Sequence, residues 1–430
     1  MGLRSFRLQE DVVKMLSQLV DKAQRSGNWI ANEALREYFS RRELEETRWQ
    51  EAIKAFEGLK REKLADGKEI LARMQGWFQE KKKQAYDWSH AAEPTTHLRT
   101  LWRRGTEFLG CEYAVLGGAM TWVSEHHLVA ALSNAGAFGV IACGSMSPEL
   151  LEKEIVETQR ITAKPFGVNI IIMHPELDEL IAVCRKQKIS HIVLAGGIPK
   201  AKTVQSIKAF GAKVICFAPS VAIAKKLVKL GADALIIEGM EAGGHIGPVS
   251  TSVLAQEILP EIRTIPVFIA GGIGRGEAIA GYLEMGASGV QLGTRFVCAS
   301  ESIAHPKFKE MFIRSQARDA MPSVQVDRDF PVIAVRAIEN KATEAFIRFQ
   351  HEVIARYKKG EFGKKEAQLQ IEHFWAGALK RAVIEGDIEN GSVMAGQSVG
   401  MVTREEPVAA ILAELIGQAQ SYLTRHQHAA

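Results

Sequence analysis

The chain is poor in the features that tie a protein to a membrane, an oxidising compartment or a highly charged partner. Its five cysteines (Cys111, Cys143, Cys184, Cys216 and Cys298) stand singly in 430 residues, with no CxxC pair. That argues against a disulfide framework or a cysteine metal site. Several of them fall in apolar runs, as buried free thiols in a reducing compartment do. No apolar run reaches about 18 residues, and the first residues lack the apolar core of a secretory leader. The expectation is therefore a cytoplasmic protein without membrane contact. Charge is nearly balanced, +4 overall, too little to mark a nucleic-acid footprint by itself. What the chain does have is length and apolar content, 430 residues at 47% hydrophobic. That suffices for one large barrel with a small appendage, or for two medium domains.

The first hundred residues differ from the rest. Leu3 to Leu8 reads as a short extended segment with Phe6 and Leu8 on one face and Ser5 and Arg7 on the other. An amphipathic helical pattern follows from about Gln9 to Gln24, carrying Val12, Val13, Leu16, Leu19 and Val20 on one stripe. Ser26-Gly27-Asn28 interrupts it and offers capping side chains for a second helix bearing Trp29, Ile30, Leu35 and Phe39. One strand and two helices cannot close a core alone, so this unit is expected to dimerise. The stretch FRLQEDVVKMLSQLVDKAQRSGNWIANEALREYF (6–39) resembles the ribbon-helix-helix antitoxins of the CopG/ParD type. The resemblance implies a β-ribbon entering the DNA major groove, with Ser5 and Arg7 toward bases and the backbone near Asn28 toward phosphate. The helical stretch after it resembles the tail with which such antitoxins hold a toxin, so DNA or a toxin is the implied partner. The polar run from Lys81 to His97 reads as a linker. The boundaries are thus a ribbon-helix-helix-like segment over 1–45, an arm and linker over 46–98, and a large domain over 99–430.

From Tyr113 one unit repeats: a short apolar run, a loop of small residues, then a helical pattern. The runs are AVLGG (114–118), GVIACG (139–144), FGVNIII (166–172), HIVLAGG (191–197), KVICFA (213–218), DALIIEG (233–239), PVFIAGG (266–272) and GVQLGT (289–294). Eight Val/Ile-rich runs alternating with helices predict a parallel sheet covered on both faces, and within this length a (β/α)8 TIM barrel.

Glycine marks the carboxyl ends of several runs, where barrel active sites lie. Gly271 and Gly272 after the seventh run and Gly293-Thr294 after the eighth fall in the two loops that commonly cradle phosphate, because bare amides there can approach an anion. The sixth run breaks into Gly243-Gly244-His245, which reads as a strand delivering a titratable imidazole onto a glycine loop. His126, His127 and His191 read as capping or core residues, His174 and His305 precede prolines in loops, and none has metal-ligand spacing, so no metal is expected.

With GGAMTWVSE (117–125), PFGVNI (165–170), EGMEAGGHIGP (238–248), AGGIGRG (270–276), VQLGTRF (290–296) and GSVMAGQSVG (391–400) in view, residues of about 100–425 resemble the FMN-dependent nitronate monooxygenases. They also resemble the related flavin-containing type II enoyl-ACP reductases. The resemblance implies FMN held by Met120, Asn169, Glu238, Gly243, Gly271, Gly272, Gln291, Leu292, Gly293 and Thr294, with His245 as the active-site base. The flavin would carry the redox step while the protein positions it. The monooxygenase reading implies oxidation of an alkyl nitronate by O2. The reductase reading implies an enoyl thioester and NAD(P)H as electron donor.

Some residues depart from the monooxygenase pattern. Glu238 stands where a glutamine is usual, Ile246 where an arginine is frequent, and Gly117-Gly118-Ala119-Met120 where many members have Gln-Gly-Gly-Met. EGMEAGGHIG, AHPKFKE (304–310), VRAIEN (335–340) and GSVMAGQ (391–397) are closer to the reductase branch. Nitronate oxidation is placed first and enoyl reduction second. A DNA-binding regulator carrying a flavin barrel is the reading from another class.

Overall fold

The computed structural model describes residues 96–427 apart from 328, 329 and 331. The ribbon-helix-helix expectation, with Ser5, Arg7 and Asn28, and the arm as far as residue 95 lie outside the described residues. Each of the eight apolar runs contains a strand: β1 (Val115–Gly117), β2 (Val140–Ala142), β3 (Gly167–Ile171), β4 (His191–Ala195), β5 (Lys213–Phe217), β6 (Ala234–Glu238), β8 (Val267–Ala270) and β9 (Gly289–Leu292). They form one parallel sheet in the order β1-β9-β8-β6-β5-β4-β3-β2. A parallel bridge from Leu116 to Phe138 joins the two ends and closes it. Following the register once around from Ala142 arrives at Asn134, a stagger of eight residues. Eight strands with that stagger make a TIM barrel.

The same register sorts the side chains. Gly167, His191, Phe268 and Gly289 belong to one parity set, together with Asn169, Glu238, Ala270 and Gln291 further along their strands. His191 and Phe268 come from different sides of the barrel, and both reach the ring of Phe108 (5.3 and 6.3 Å between centroids). This set therefore faces the interior. The opposite set (Val168, Ile170, Ile192, Val214, Leu235, Ile237, Ile269, Val290) is apolar and buried under the helices, as strands covered on both sides require. Phe108 belongs to α1 (Thr96–Leu109), which seals the amino-terminal end. His191 Nε2 and Lys213 Nζ both meet the Phe108 carbonyl, at 2.9 and 2.6 Å.

The helices α2 (His126–Asn134), α3 (Pro148–Ile161), α4 (Leu177–Lys186), α5 (Ala201–Lys208), α6 (Val221–Leu230), α7 (Thr251–Ile258) and α8 (Gly276–Glu284) follow their strands in turn. After β9 comes the short α9 (Thr294–Val297), and the chain then leaves the barrel at Ala299. It builds a lobe from α10 (Pro306–Arg314), β10 (Ala320–Pro322), β11 (Ala334–Ile338), α11 (Lys341–Lys358) and α12 (Lys364–Val383). The lobe has its own core of Phe330, Val335, Phe346, Val353, Ile371 and Trp375. The chain re-enters at Glu406, which bridges Ala299, and α13 (Val408–Gln427) completes the helical ring against α8.

One sequence expectation changes here. The glycine loop after β6 is not free-standing: Gly244–Ile246 forms strand β7, antiparallel to β11, in a second sheet ordered β10-β11-β7. Gly244-His245-Ile246 carries no strand signal of its own, and its partner, Ala334–Arg336, lies far downstream.

Candidate active site

The barrel mouth is assembled from the carboxyl ends of β1, β3, β6, β8 and β9. Asn169, Glu238 and Gln291 point into the barrel from three of these strands. Asn169 is buried and spends its amide N–H on the Val193 carbonyl at 3.1 Å. Gln291 is buried as well, yet its side chain has no hydrogen-bond partner among the described residues. Its polar atoms are not sealed off, so a molecule bound at the barrel mouth could pair with them.

Glu238 ends β6, half-buried and beside Ala270. Burial pushes its carboxyl up to about 7, and the nearby imidazole of His245 partly counteracts this. The two groups are thus electrostatically linked, with Glu238 on the strand and His245 on the excursion that follows it. His245 is solvent-exposed, and its backbone registers with Val335 of β11.

The excursion over 239–250 is pinned at many points. Met240 N–H meets the Val249 carbonyl at 2.8 Å and closes its base. The Glu241 carboxylate accepts from the Thr251 N–H (2.9 Å) and hydroxyl (2.9 Å) at the start of α7. Arg336 of β11 is fully buried beneath the excursion and donates to the carbonyls of Met240 (2.9 Å) and Ala320. Desolvation lowers the pKa of this guanidinium, and the Glu241 charge opposes that.

The returning segment of the lobe crosses the same place. Gln397 N–H donates to the Glu241 carbonyl (2.9 Å), and Gly396 N–H donates to the Thr294 hydroxyl (3.0 Å). A Cβ on Gly243 would lie 2.6 Å from the Gly396 nitrogen, so only glycine permits this crossing.

The glycine loops after β8 and β9 lie on neighbouring strands. Gly271 and Gly272 both adopt positive φ (94° and 71°), which side chains with a Cβ resist. Gly293 precedes α9, and a Cβ on it would lie 3.4 Å from the sulfur of Met120 in the loop after β1. Among the described residues, the backbone N–H groups of Gly271, Gly272, Gly293 and Thr294 make no hydrogen bond within the protein. Four unspent donors at the ends of two adjacent strands fit the phosphate of a flavin mononucleotide, and Gln291 beside them fits a polar ring edge. The side chain of Leu292 belongs to the outward set, and its carbonyl is taken by the Gly118 N–H at 2.8 Å. It offers the mouth no polar atom.

Three further histidines have local roles. His174 and His305 accept backbone N–H groups two residues on, and His305 caps α10. His191 is core. Arg336, Glu241 and Thr251 support the site without having been singled out in the sequence; VRAIEN marked the region of Arg336 but not its burial.

A closed (β/α)8 barrel with an anion cradle after its last two strands and a linked acid–imidazole pair at its mouth has the design of a flavin-dependent oxidoreductase. Comparison with known proteins makes this specific. The chain belongs to the nitronate monooxygenase family, whose model matches residues 103–188 and 176–418. FabK of Thermotoga maritima is 36% identical and superimposes with a TM-score of 0.67 over 76% of this chain and 99% of that one. A probable nitronate monooxygenase of Staphylococcus aureus is 26% identical over 74% of this chain and 98% of its own length. A (3aS,4S,5R,7aS)-5-hydroxy-7a-methyl-1-oxo-octahydro-1H-indene-4-carboxyl-CoA dehydrogenase of Rhodococcus jostii is 36% identical over 232 residues. That match spans 65% of the dehydrogenase, and 63% of its Mycobacterium tuberculosis counterpart, so the chain covers just under two thirds of these relatives. A nitroalkane oxidase of Streptomyces ansochromogenes (24% identity, TM-score 0.61) shares the fold. No described helix is long and apolar enough to cross a membrane.

Proposed function

We propose that this protein is an FMN-dependent oxidoreductase that oxidises alkyl nitronates with O2. The observation that carries the reading is the set of four unspent backbone N–H groups at Gly271, Gly272, Gly293 and Thr294, beside the linked pair Glu238 and His245. The four amides would hold the FMN phosphate, while Asn169, Gln291, Glu238 and the Met120 loop would line its ring. When bound, FMN supplies the redox chemistry, accepting electrons from the organic substrate and passing them to dioxygen. His245 takes the proton from the carbon that bears the nitro group, or hydrogen-bonds the nitronate formed in solution. An imidazole is suited to this because it titrates near neutrality.

A second reading, NAD(P)H-dependent reduction of an enoyl thioester, is favoured by Glu238 and Ile246 and by the likeness to FabK. Anaerobic mixing of the holoenzyme with a nitronate, NADH and NADPH in parallel decides between them. Bleaching by nitronate alone is the expected result. Bleaching by NADH or NADPH with indifference to nitronate would replace the first reading by the second.

The proposal extends to a cytoplasmic homodimer divided as 1–45, 46–98 and 99–430, with residues 1–80 engaging DNA through Ser5, Arg7 and Asn28, or a toxin through the helical stretch that follows them. Operator binding that Arg7→Ala removes, with the salt dependence of phosphate contacts, is the expected outcome. Absence of any sequence-selective shift would leave the first segment as an oligomerising arm.

A further inference from the structure

Away from the flavin cradle, the start of α2 gathers a second set of chemically capable side chains. Glu125, His126 and His127 are consecutive, and Glu154 comes from α3. Glu125 uses one carboxylate oxygen to cap the helix, accepting from the N–H groups of His127 (3.1 Å) and Leu128 (3.3 Å). Its other oxygen lies 3.0 Å from Nδ1 of both His126 and His127. Glu154 Oε2 approaches His126 Nδ1 to 2.7 Å and accepts the His126 N–H at 3.0 Å.

Capping needs one acceptor, and it is already provided. The remaining geometry goes beyond that need. Consecutive helical residues point about 100° apart, yet both imidazoles turn Nδ1 to one oxygen, with ring centroids 4.1 Å apart. His126 Nδ1 can carry a single proton toward two carboxylates. Glu125 Oε2 thus meets both imidazole nitrogens at 3.0 Å, and Glu154 Oε2 reaches that of His126 at 2.7 Å. Tetrahedral zinc with bonds of about 2.0–2.1 Å would set its ligands roughly 3.3 Å apart, close to the two separations of 3.0 Å between Glu125 Oε2 and the imidazole nitrogens. Both carboxylates are largely buried, while the His127 side chain is 56% exposed, which leaves an entry path and room for water. Glu125, His126 and His127 are the one such group of potential metal ligands found among the described residues.

We propose that Glu125, His126 and His127 form a binding site for a divalent transition metal of the zinc class, with Glu154 holding His126 in place. Mixed imidazole and carboxylate donors select zinc, cobalt or copper over magnesium and calcium. The ion would tie the loop that carries Met120 to α3, since Ser124, next to the cluster, already holds that loop through the Met120 N–H (3.0 Å) and the Gly118 carbonyl (2.9 Å). The site lies outside the flavin cradle and does not depend on the substrate reading.

The test uses the untagged full-length holoenzyme titrated with Zn2+, Co2+ and Cu2+ salts alone. One equivalent should bind at micromolar metal, raising Tm. Co2+ should give d–d absorption, and the electron paramagnetic resonance of Cu2+ should show coupling to two imidazole nitrogens. His126→Ala/His127→Ala should abolish all three responses, whereas His174→Ala should leave them intact. Should the double variant misfold, Glu154→Ala is expected to weaken binding at least tenfold. Absence of Co2+ absorption in the unmodified protein, or undiminished stoichiometry in the double variant, overturns the proposal.

Discussion

Glu238 shows how one carboxyl couples chemistry to stability. Its pKa in the folded protein is about 7, against an ordinary 4.5. Between those values the folded state holds a proton that the unfolded state has released, so stability falls as pH rises through the window. Glu238→Gln removes this dependence. The variant should gain stability relative to the parent from pH 4.5 to 7, with a constant difference above, as read by Tm across pH. A difference that does not change between pH 4.5 and 7 would contradict the assigned burial. His245→Ala should keep its flavin absorbance and lose about 10²–10⁴ in turnover, the usual contribution of a general base. Unchanged turnover would remove His245 from the proposed chemistry. His245 stood out in the sequence because an apolar run breaking into glycines around one histidine is locally unusual, whereas Glu238 was named only through the family resemblance. Arg336 did not stand out, since an arginine in a short alternating strand reads as exposed. Only the carbonyls of Met240 and Ala320, brought from elsewhere, account for its burial.

At the level of elements, the eight barrel strands fell inside the eight apolar runs because their burial on both faces leaves a local signature. β7, β10 and β11 leave none: each is at most five residues long and exists through its neighbours. The excursion bearing His245 therefore depends on remote contacts. Arg336→Met would strand two buried carbonyls, at about 1–3 kcal/mol each, and should lower both Tm and turnover while flavin stays bound. Gly243→Ala would force Ala395 and Gly396 away from the excursion. The expected result is a kcat loss with far smaller change in flavin affinity, measured by steady-state kinetics and flavin titration. Wild-type kcat in Gly243→Ala would show that the crossing is not needed.

For the molecule as a whole, closure at the amino-terminal end rests on a neutral histidine. Burial lowers His191 to about 4, although its bond to the Phe108 carbonyl opposes the shift. Here the unfolded state binds the extra proton, so stability is lost as pH falls from about 6.5 to 4, by about 3 kcal/mol if the shift is fully realised. His191→Asn should flatten this acid limb of the Tm profile, and an unaltered limb would place the titrating group elsewhere. The barrel architecture was legible from repetition and length, whereas the lobe between Ala299 and Glu406 was visible only as further helices.

The bridge between those two residues has a consequence for evolution. Because the ends of the insertion are already paired by the barrel, lengthening or exchanging the lobe adds loop-closure entropy that grows only with the logarithm of its length, about 0.6 kcal/mol per doubling. Chain closure therefore sets little limit on the size of the lobe; what constrains it is the face that shares a core with the barrel, through Phe308, Phe312, Leu379 and Val383. Variation in the lobe is expected to spare that face and to collect on the side with its own core around Phe346 and Trp375.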